Sequence, residues 1–177
     1  MKTLAMAITL AGAAMLPTAT AQSDLYLNGG VSVFDSDDAT INALTLRGGV
    51  ELHPLLGAEF ETSYGLGAEE IDDSDGAEVE LETQFAGFVV GRYPLTRRLD
   101  VLGRVGYSVG ELQTSTAGLS SDAETDGFAF GLGSEYMITD NFGIRGDYTR
   151  IEVDDDQLDG GINVIAIAGV LKFGDVR

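Results

Sequence analysis

The chain of 177 residues has no cysteine, no tryptophan, one histidine and three prolines. Without cysteine there is no disulfide and no thiolate ligand, so stability must come from backbone pairing and packing. The single histidine, His53, stands before Pro54 in a tight-turn context. That leaves zinc and haem sites without ligands and a Ser-His-Asp triad without its surroundings, so neither a metal, a cofactor nor an enzyme activity is expected. Basic residues are scarce as well: 10 Lys+Arg stand against 29 Asp+Glu, a net charge of -19. Such a chain is repelled by phosphate backbones, which argues against DNA and RNA as partners. Long apolar runs are missing too. Past the N-terminal segment no stretch approaches the roughly 18 consecutive apolar residues of a membrane helix, and the 24 glycines disfavour long soluble helices.

What is present is segregation. Mean hydropathy is +0.10 although 22% of the residues are charged, so apolar and charged side chains must occupy separate surfaces. The N-terminus has the layout of a secretory signal: Lys2, an apolar stretch over residues 4–16, and Ala19-Thr20-Ala21 as a small-x-small cleavage site. Residues 1–21 are thus expected to be a cleaved signal peptide, and residues 22–177 a single mature domain beginning at Gln22. The apolar stretch is too short for the roughly 20 residues of a spanning helix.

The mature region divides into eight segments of period two. Leu25, Leu27, Val31 and Val33 oppose Tyr26, Asn28 and Ser32; Leu44 and Leu46 oppose Thr45 and Arg47; Phe60 and Tyr64 oppose Glu59, Glu61 and Ser63. The fourth segment sets Val79, Leu81, Phe85, Val89 and Tyr93 against Glu78, Glu80, Glu82, Gln84 and Arg92. The fifth to seventh set Val101, Val105, Phe128, Phe130, Tyr136, Phe142, Ile144 and Tyr148 against Asp100, Arg104, Glu135, Arg145 and Asp147. The eighth, residues 162–173, is apolar on both faces until Lys172. Connections alternate between tight turns (53–55, 94–98, 138–141) and longer polar stretches, the most extreme at 65–77. Short turns at one end and long loops at the other are what an up-and-down transmembrane barrel requires.

Alternation alone does not say which face is inside. Three features favour lipid on the apolar side. Tyr64, Tyr93, Tyr136, Phe142 and Tyr148 lie near segment ends, as an aromatic girdle does. The polar faces mix long charged side chains with glycine, which suits a cramped interior. The segments reach about ten residues, the length of a tilted crossing. The reading is an all-β, eight-stranded antiparallel up-and-down transmembrane β-barrel. The competing architecture is a soluble periplasmic barrel holding a small hydrophobic ligand, to which the apolar eighth segment would contribute, although the Gly-x-Trp signature of lipocalins is missing.

Inside such a barrel, Arg47, Arg92, Arg104 and Arg145 would meet Glu59, Glu61, Glu80, Glu82, Glu135 and Asp147. The turn lengths set Arg47 across from Glu61 and Arg145 across from Glu135. Gly106, Gly110, Gly127, Gly131 and Gly133 leave room for these side chains to cross the lumen. An eight-stranded interior is normally filled, so the expected arrangement is a salt-bridged plug, with at most a narrow ion path in which Arg and Glu exchange partners. Since acids outnumber bases on this face, either water enters near residues 78–82 or some carboxyls titrate at raised pH. The acidic clusters at Asp35, Asp37 and Asp38, at 69–75 and at 154–159 suit a solvated surface. Asp73-Ser74-Asp75-Gly76 with Glu82 echoes a calcium loop, but Ile71 occupies the first ligand position.

The run Gly131-Leu-Gly-Ser-Glu-Tyr-Met-Ile-Thr-Asp-Asn-Phe-Gly-Ile-Arg-Gly-Asp-Tyr148 resembles the penultimate hairpin of the OmpA-like outer-membrane β-barrel family, and Tyr93-Pro94-Leu95 with Val105-Gly106-Tyr107 resembles the hairpin before it. The likeness extends over essentially the whole mature region. It implies a Gram-negative outer-membrane location, outer-membrane lipids around a monomer, and biogenesis by the barrel-assembly machinery. It also implies that Phe173, with Leu171, Gly169, Ile167 and Ile165 at the same parity, is the aromatic assembly signal, although Gly174 to Arg177 follow it.

Overall fold

In the computed structural model, residues 24–36, 40–67, 69–70, 77–116, 119–153 and 161–173 are described. The expected signal peptide lies outside them, as do most of the acidic loop clusters. The elements are β1 (Asp24–Asp35), β2 (Thr40–His53), β3 (Leu56–Gly65), β4 (Glu69–Glu70), β5 (Ala77–Pro94), β6 (Leu99–Thr116), β7 (Leu119–Met137), β8 (Phe142–Val153) and β9 (Gly161–Phe173).

Every pairing is antiparallel between chain neighbours, except that β1 also pairs with β9 and β3 with β5. Those two contacts close the sheet, with the two-residue β4 lying only on β5. Eight strands therefore form a barrel without a free edge within the belt, which satisfies the backbone groups that lipid cannot.

The register sets the tilt. A circuit from Leu25 runs through Val50, Ala58, Val89, Val105, Phe130, Arg150 and Asn163 and returns to β1 at Asp35, ten residues along. With strands about 4.8 Å apart and about 3.3 Å per residue, that offset corresponds to a tilt of roughly 40°.

The alternation resolves as lipid-facing outside and polar inside. Leu27, Phe60, Leu132 and Ile167 are 55%, 53%, 69% and 66% exposed, whereas Arg47, Glu61, Glu135 and Arg145 are at most 3% exposed. All five expected girdle aromatics, Tyr64, Tyr93, Tyr136, Phe142 and Tyr148, point outward. Tyr93, Tyr136 and Phe142 mark the tight-turn end, with Phe173 beside them. Tyr64 and Tyr148 mark the loop end, with Phe85, Tyr107 and Phe128. On β7, Tyr136 and Phe128 are separated by eight residues, roughly 20 Å along the axis at this tilt. That is close to the ~25 Å apolar band of an outer-membrane barrel.

The tight turns have local causes. Thr96 Oγ1 accepts from the backbone N–H of Arg98 at 3.2 Å and of Leu99 at 3.0 Å, and Thr139 Oγ1 accepts from Phe142 at 3.0 Å. His53 is a turn residue as expected, its Nδ1 accepting from the Leu55 N–H at 3.2 Å.

Two expectations about the strands are corrected. β5, β6 and β7 run 18, 18 and 19 residues, well beyond a ten-residue crossing. The polar stretch after Gly110 continues as paired strand to Thr116 and back from Leu119. Above the bilayer both faces of a ladder meet water, so period two fades although the pairing persists. The alternation also breaks at a β-bulge between Leu81 and Thr83. Glu82 sits in that bulge and is exposed, not lumenal, because a bulge inserts an extra residue into the alternation.

A buried charge network as the candidate functional site

The lumen holds two ionic tiers. In the central tier, Arg47 from β2, Arg104 from β6 and Arg145 from β8 face Glu59 and Glu61 from β3 and Asp147 from β8. Arg47 Nε donates to Glu61 Oε2 at 2.6 Å, and its Nη1 and Nη2 reach Asp147 at 2.9 and 3.1 Å. Arg104 Nη1 reaches Glu61 at 2.8 Å and Glu59 at 3.1 Å, while Nε and Nη2 donate to Thr149 Oγ1 at 2.9 and 2.6 Å. Its guanidinium also lies over the Phe88 ring, 4.1 Å from the centroid. Arg145 crosses the lumen to Glu59 at 2.7 Å and lies 3.3 Å from Asp147. Three guanidiniums thus meet three carboxylates, and each of the six has at least two partners of opposite charge within 3.4 Å.

The second tier lies toward the tight-turn end. Arg92 reaches Glu135 at 2.7 Å, Asp100 at 3.0 Å and Glu51 at 3.3 Å. Lys172 reaches Glu135 at 2.8 Å and Glu51 at 3.1 Å. This tier is partly open to solvent, since the side chains of Glu51, Asp100 and Lys172 are 19–20% exposed. Tyr26 joins the tiers: its hydroxyl donates to Glu59 at 3.0 Å while Arg92 lies 5.8 Å from its ring centre. The ring lies so close to β2 that a Cβ on Gly49 would come within 2.1 Å of it.

Toward the loop end the lumen changes character. Ser32, Thr45 and Ser63 form a hydroxyl chain at 2.5 and 2.8 Å, and Gln84 donates to Ser108 at 2.7 Å. Phe34, Ile41, Ile151 and Val164 are buried there, in an apolar cluster that continues along the lumen wall through Phe88 to Val90 and Leu102, level with Arg104 and Arg92, and Ile162 packs against it. The apolar inner face of β9 therefore packs against partners from β1, β2 and β8.

Of the expected network residues, Arg47, Glu59, Glu61, Arg92, Arg104, Glu135, Arg145 and Asp147 are buried in the lumen. Glu80's side chain lies outside the described residues, and Glu82 is exposed as noted above. The pair Arg47–Glu61 forms where the turn placed it. Arg145 does stand across from Glu135 in the backbone register, yet its ion partners are Glu59 and Asp147; Glu135 is taken by Arg92 and Lys172. The expected surplus of acid shrinks accordingly, to none in the central tier and one in the outer tier. Tyr26, Glu51, Asp100 and Lys172 complete the network; their inward parity was readable, their partners were not. Among the described residues no group of His, Cys, Asp and Glu is arranged to hold a metal ion.

Comparison with known proteins bears on this barrel directly. The family model described as "Outer membrane protein beta-barrel domain" matches residues 3–173. The chain belongs to that family. Among solved structures, the chain is similar to the attachment invasion locus protein Ail of Yersinia pestis, determined in complex with the heparin analogue sucrose octasulfate (TM-score 0.65, 14% identity, covering 86% of this chain and 99% of that one). It is likewise similar to the N-terminal β-barrel domain of Pseudomonas aeruginosa OprF (TM-score 0.65, 10% identity, 86% and 98%), and to neisserial surface protein A (TM-score 0.58, 9% identity, 85% and 97%). No curated protein matches the sequence significantly. These likenesses establish a small outer-membrane barrel fold for this family member.

Proposed function

We propose that this protein is a closed outer-membrane barrel of a Gram-negative bacterium, serving as a structural or surface-contact element and carrying neither a steady ion path nor an enzyme activity. The observation that carries the reading is the filled lumen: a charge-balanced central tier on the axis, packed against a buried apolar cluster that runs along the lumen wall to the loop end. An ion entering from the tight-turn end would have to displace three guanidiniums from three carboxylates and then pass the buried hydroxyls and apolar side chains packed toward the loop end. Desolvated pairs held by several partners each are costly to part. Exchange of partners between Arg and Glu would not by itself move Phe34, Ile41, Ile151 and Val164, which are buried at the loop end.

In this reading residues 1–21 are a signal peptide removed on export, the tight turns face the periplasm and the long loops face outward, following the general rule for such barrels. Phe173, exposed beside the tight-turn girdle, is the aromatic that the barrel-assembly machinery would read, and the mature chain is a monomer ringed by outer-membrane lipid. A soluble barrel binding a hydrophobic ligand is disfavoured, because it would turn Leu27, Leu132 and Ile167 to water and charges to the ligand. Binding of a sulfated polyanion, as in the Ail complex, is not carried over. The loop segments 36–39, 66–76, 117–118 and 154–160 contain no Lys or Arg and are rich in Asp and Glu.

Recording in a planar bilayer tests the closed lumen. Purified, heat-modifiable protein is expected to leave the membrane current at its baseline. A reproducible unitary conductance that changes in Arg47→Ala or Arg104→Ala would overturn the reading in favour of a gated path.

A further inference from the structure

The chain is acidic, yet two of its cations stand apart. Among the described residues Arg47, Arg92, Arg104, Arg145, Arg150 and Lys172 each meet a carboxylate. Arg97 and Arg98 do not. They are adjacent, exposed, and occupy the tight turn between β5 and β6. In so acidic a protein, two neighbouring guanidiniums without a carboxylate partner among the described residues mark a place where a negative charge from outside can be taken.

The turn that presents them is fixed on three sides. Leu95 N–H and Thr96 N–H donate to Leu99 O at 2.9 and 3.1 Å, and Thr96 Oγ1 accepts from Arg98 and Leu99. Arg98 then ties this turn to the next one: its Nη1 donates to Ile138 O at 3.2 Å, and Met137 N–H donates to its carbonyl at 2.8 Å. Among the described residues, Arg97 is left with its whole guanidinium free, and Arg98 with Nε and Nη2. Exposed Tyr93, Leu95, Tyr136 and Ile138 surround the pair and place it at the boundary between the apolar belt and water. Asp140, exposed in the neighbouring turn, forms no ion pair with either arginine. At the other rim the outward charges are mostly acidic: Asp35, Glu111, Asp126 and Glu152 are exposed there, with Arg150 held by Glu152 at 3.5 Å.

We propose that Arg97 and Arg98 form a headgroup site for an anionic phospholipid of the periplasmic leaflet, its phosphate lying on the two guanidiniums and its acyl chains running along the apolar belt past Tyr93 and Tyr136. A planar guanidinium matches phosphate oxygens in a bidentate fashion, and the belt fixes the depth at which phosphates lie. The assignment to the periplasmic leaflet rests on the orientation proposed above; the lipid preference itself does not.

Full-length protein in vesicles, probed with spin-labelled phosphatidylglycerol and phosphatidylcholine, tests it in either orientation. A basic residue at a membrane surface contributes ~1 kcal/mol, which is about fivefold in association. Wild type is therefore expected to prefer phosphatidylglycerol by about fivefold or more at low salt, with the preference falling toward one in R97A/R98A and staying at the wild-type level in R150A. Heat-modifiable migration confirms that each variant is folded. Equal association of the two lipids with wild type, or an undiminished preference in folded R97A/R98A, would overturn the site. A closed or a conducting lumen would leave this result unchanged.

Discussion

Arg104→Ala tests whether the central tier holds the barrel together. The guanidinium touches Glu61 at 2.8 Å, Glu59 at 3.1 Å and Asp147 at 3.4 Å, donates twice to Thr149, and covers Phe88. Its removal leaves two arginines facing three carboxylates in a sealed interior. Truncating one partner of a buried pair typically costs about 3–5 kcal/mol, most of it from the charge left behind. Here no carboxylate is stranded outright: Glu61 keeps Arg47, Glu59 keeps Arg145, and Asp147 keeps both. The lower end, about 3 kcal/mol, is therefore expected. Urea unfolding in lipid vesicles, followed by the heat-modifiable shift on gels, measures it.

Arg104→Met separates charge from volume, because Met fills the space but leaves the same uncompensated carboxylate. It should fall within about 1 kcal/mol of the alanine variant. Adding Glu61→Gln to Arg104→Met restores the balance and should recover on the order of 1–2 kcal/mol, as residues sharing one network are coupled. If Arg104→Met were as stable as wild type, the cost would be a cavity and not a charge. If Arg104→Ala itself lost less than about 1 kcal/mol, the network would be a passive filling and the reasoning would fail.

Two glycines on opposite faces of the β5–β6 pair, Gly87 turned outward and Gly106 turned into the lumen, give opposite expectations. A Cβ on Gly106 would stand 1.9 Å from Gly87 O and 2.8 Å from the Phe88 ring, while a Cβ on Gly87 meets nothing within 4 Å. Gly106→Ala should destabilise by at least about 2 kcal/mol and Gly87→Ala by less than about 0.5 kcal/mol in the same urea assay; equal effects would contradict the lumen packing. The loops lack basic residues, so sucrose octasulfate should give no binding heat in titration calorimetry with R97A/R98A protein, and calcium none with wild type, because the loop at 73–76 lacks its first ligand; saturable heat from either would show that the acidic surface is more organised than a solvated one.

How much of this was legible in the sequence depends on which physical constraint was at work. Parity was, because a strand between lipid and a polar lumen must alternate, and Leu27, Arg47, Glu61 and Tyr136 all fell on their proper faces. The Arg47–Glu61 pair was too, since a tight turn at residues 53–55 transmits register from β2 to β3. Glu82 was misplaced because alternation carries no mark of a bulge. The long hairpin of β6 and β7 read as loop because a ladder wet on both faces has no apolar stripe. Arg145 shows the deeper limit: its backbone position opposite Glu135 was correct, but its partner Glu59 lies on β3, across the barrel. Adjacency in the sheet is encoded by turns; contact through the lumen is decided by which long side chains fit past one another.

That limit explains why the network is within one charge of balance although the chain is not. With 29 acids and ten cations in the whole sequence, a random placement would leave the lumen strongly negative. The barrel instead commits five of its cations to the interior, where an unpaired carboxylate is most costly, and leaves the excess acid for the wet rim, where water and salt screen it. The two arginines that join neither group sit at the opposite rim, against the lipid. Charge in this protein is thus sorted by the cost of desolvation, tier by tier along the barrel axis. An arginine moved from the lumen to the exposed outer part of β7, as in Arg104→Gln combined with Asp126→Arg, should shift the net charge by only about one unit and still destabilise the barrel by about 3 kcal/mol.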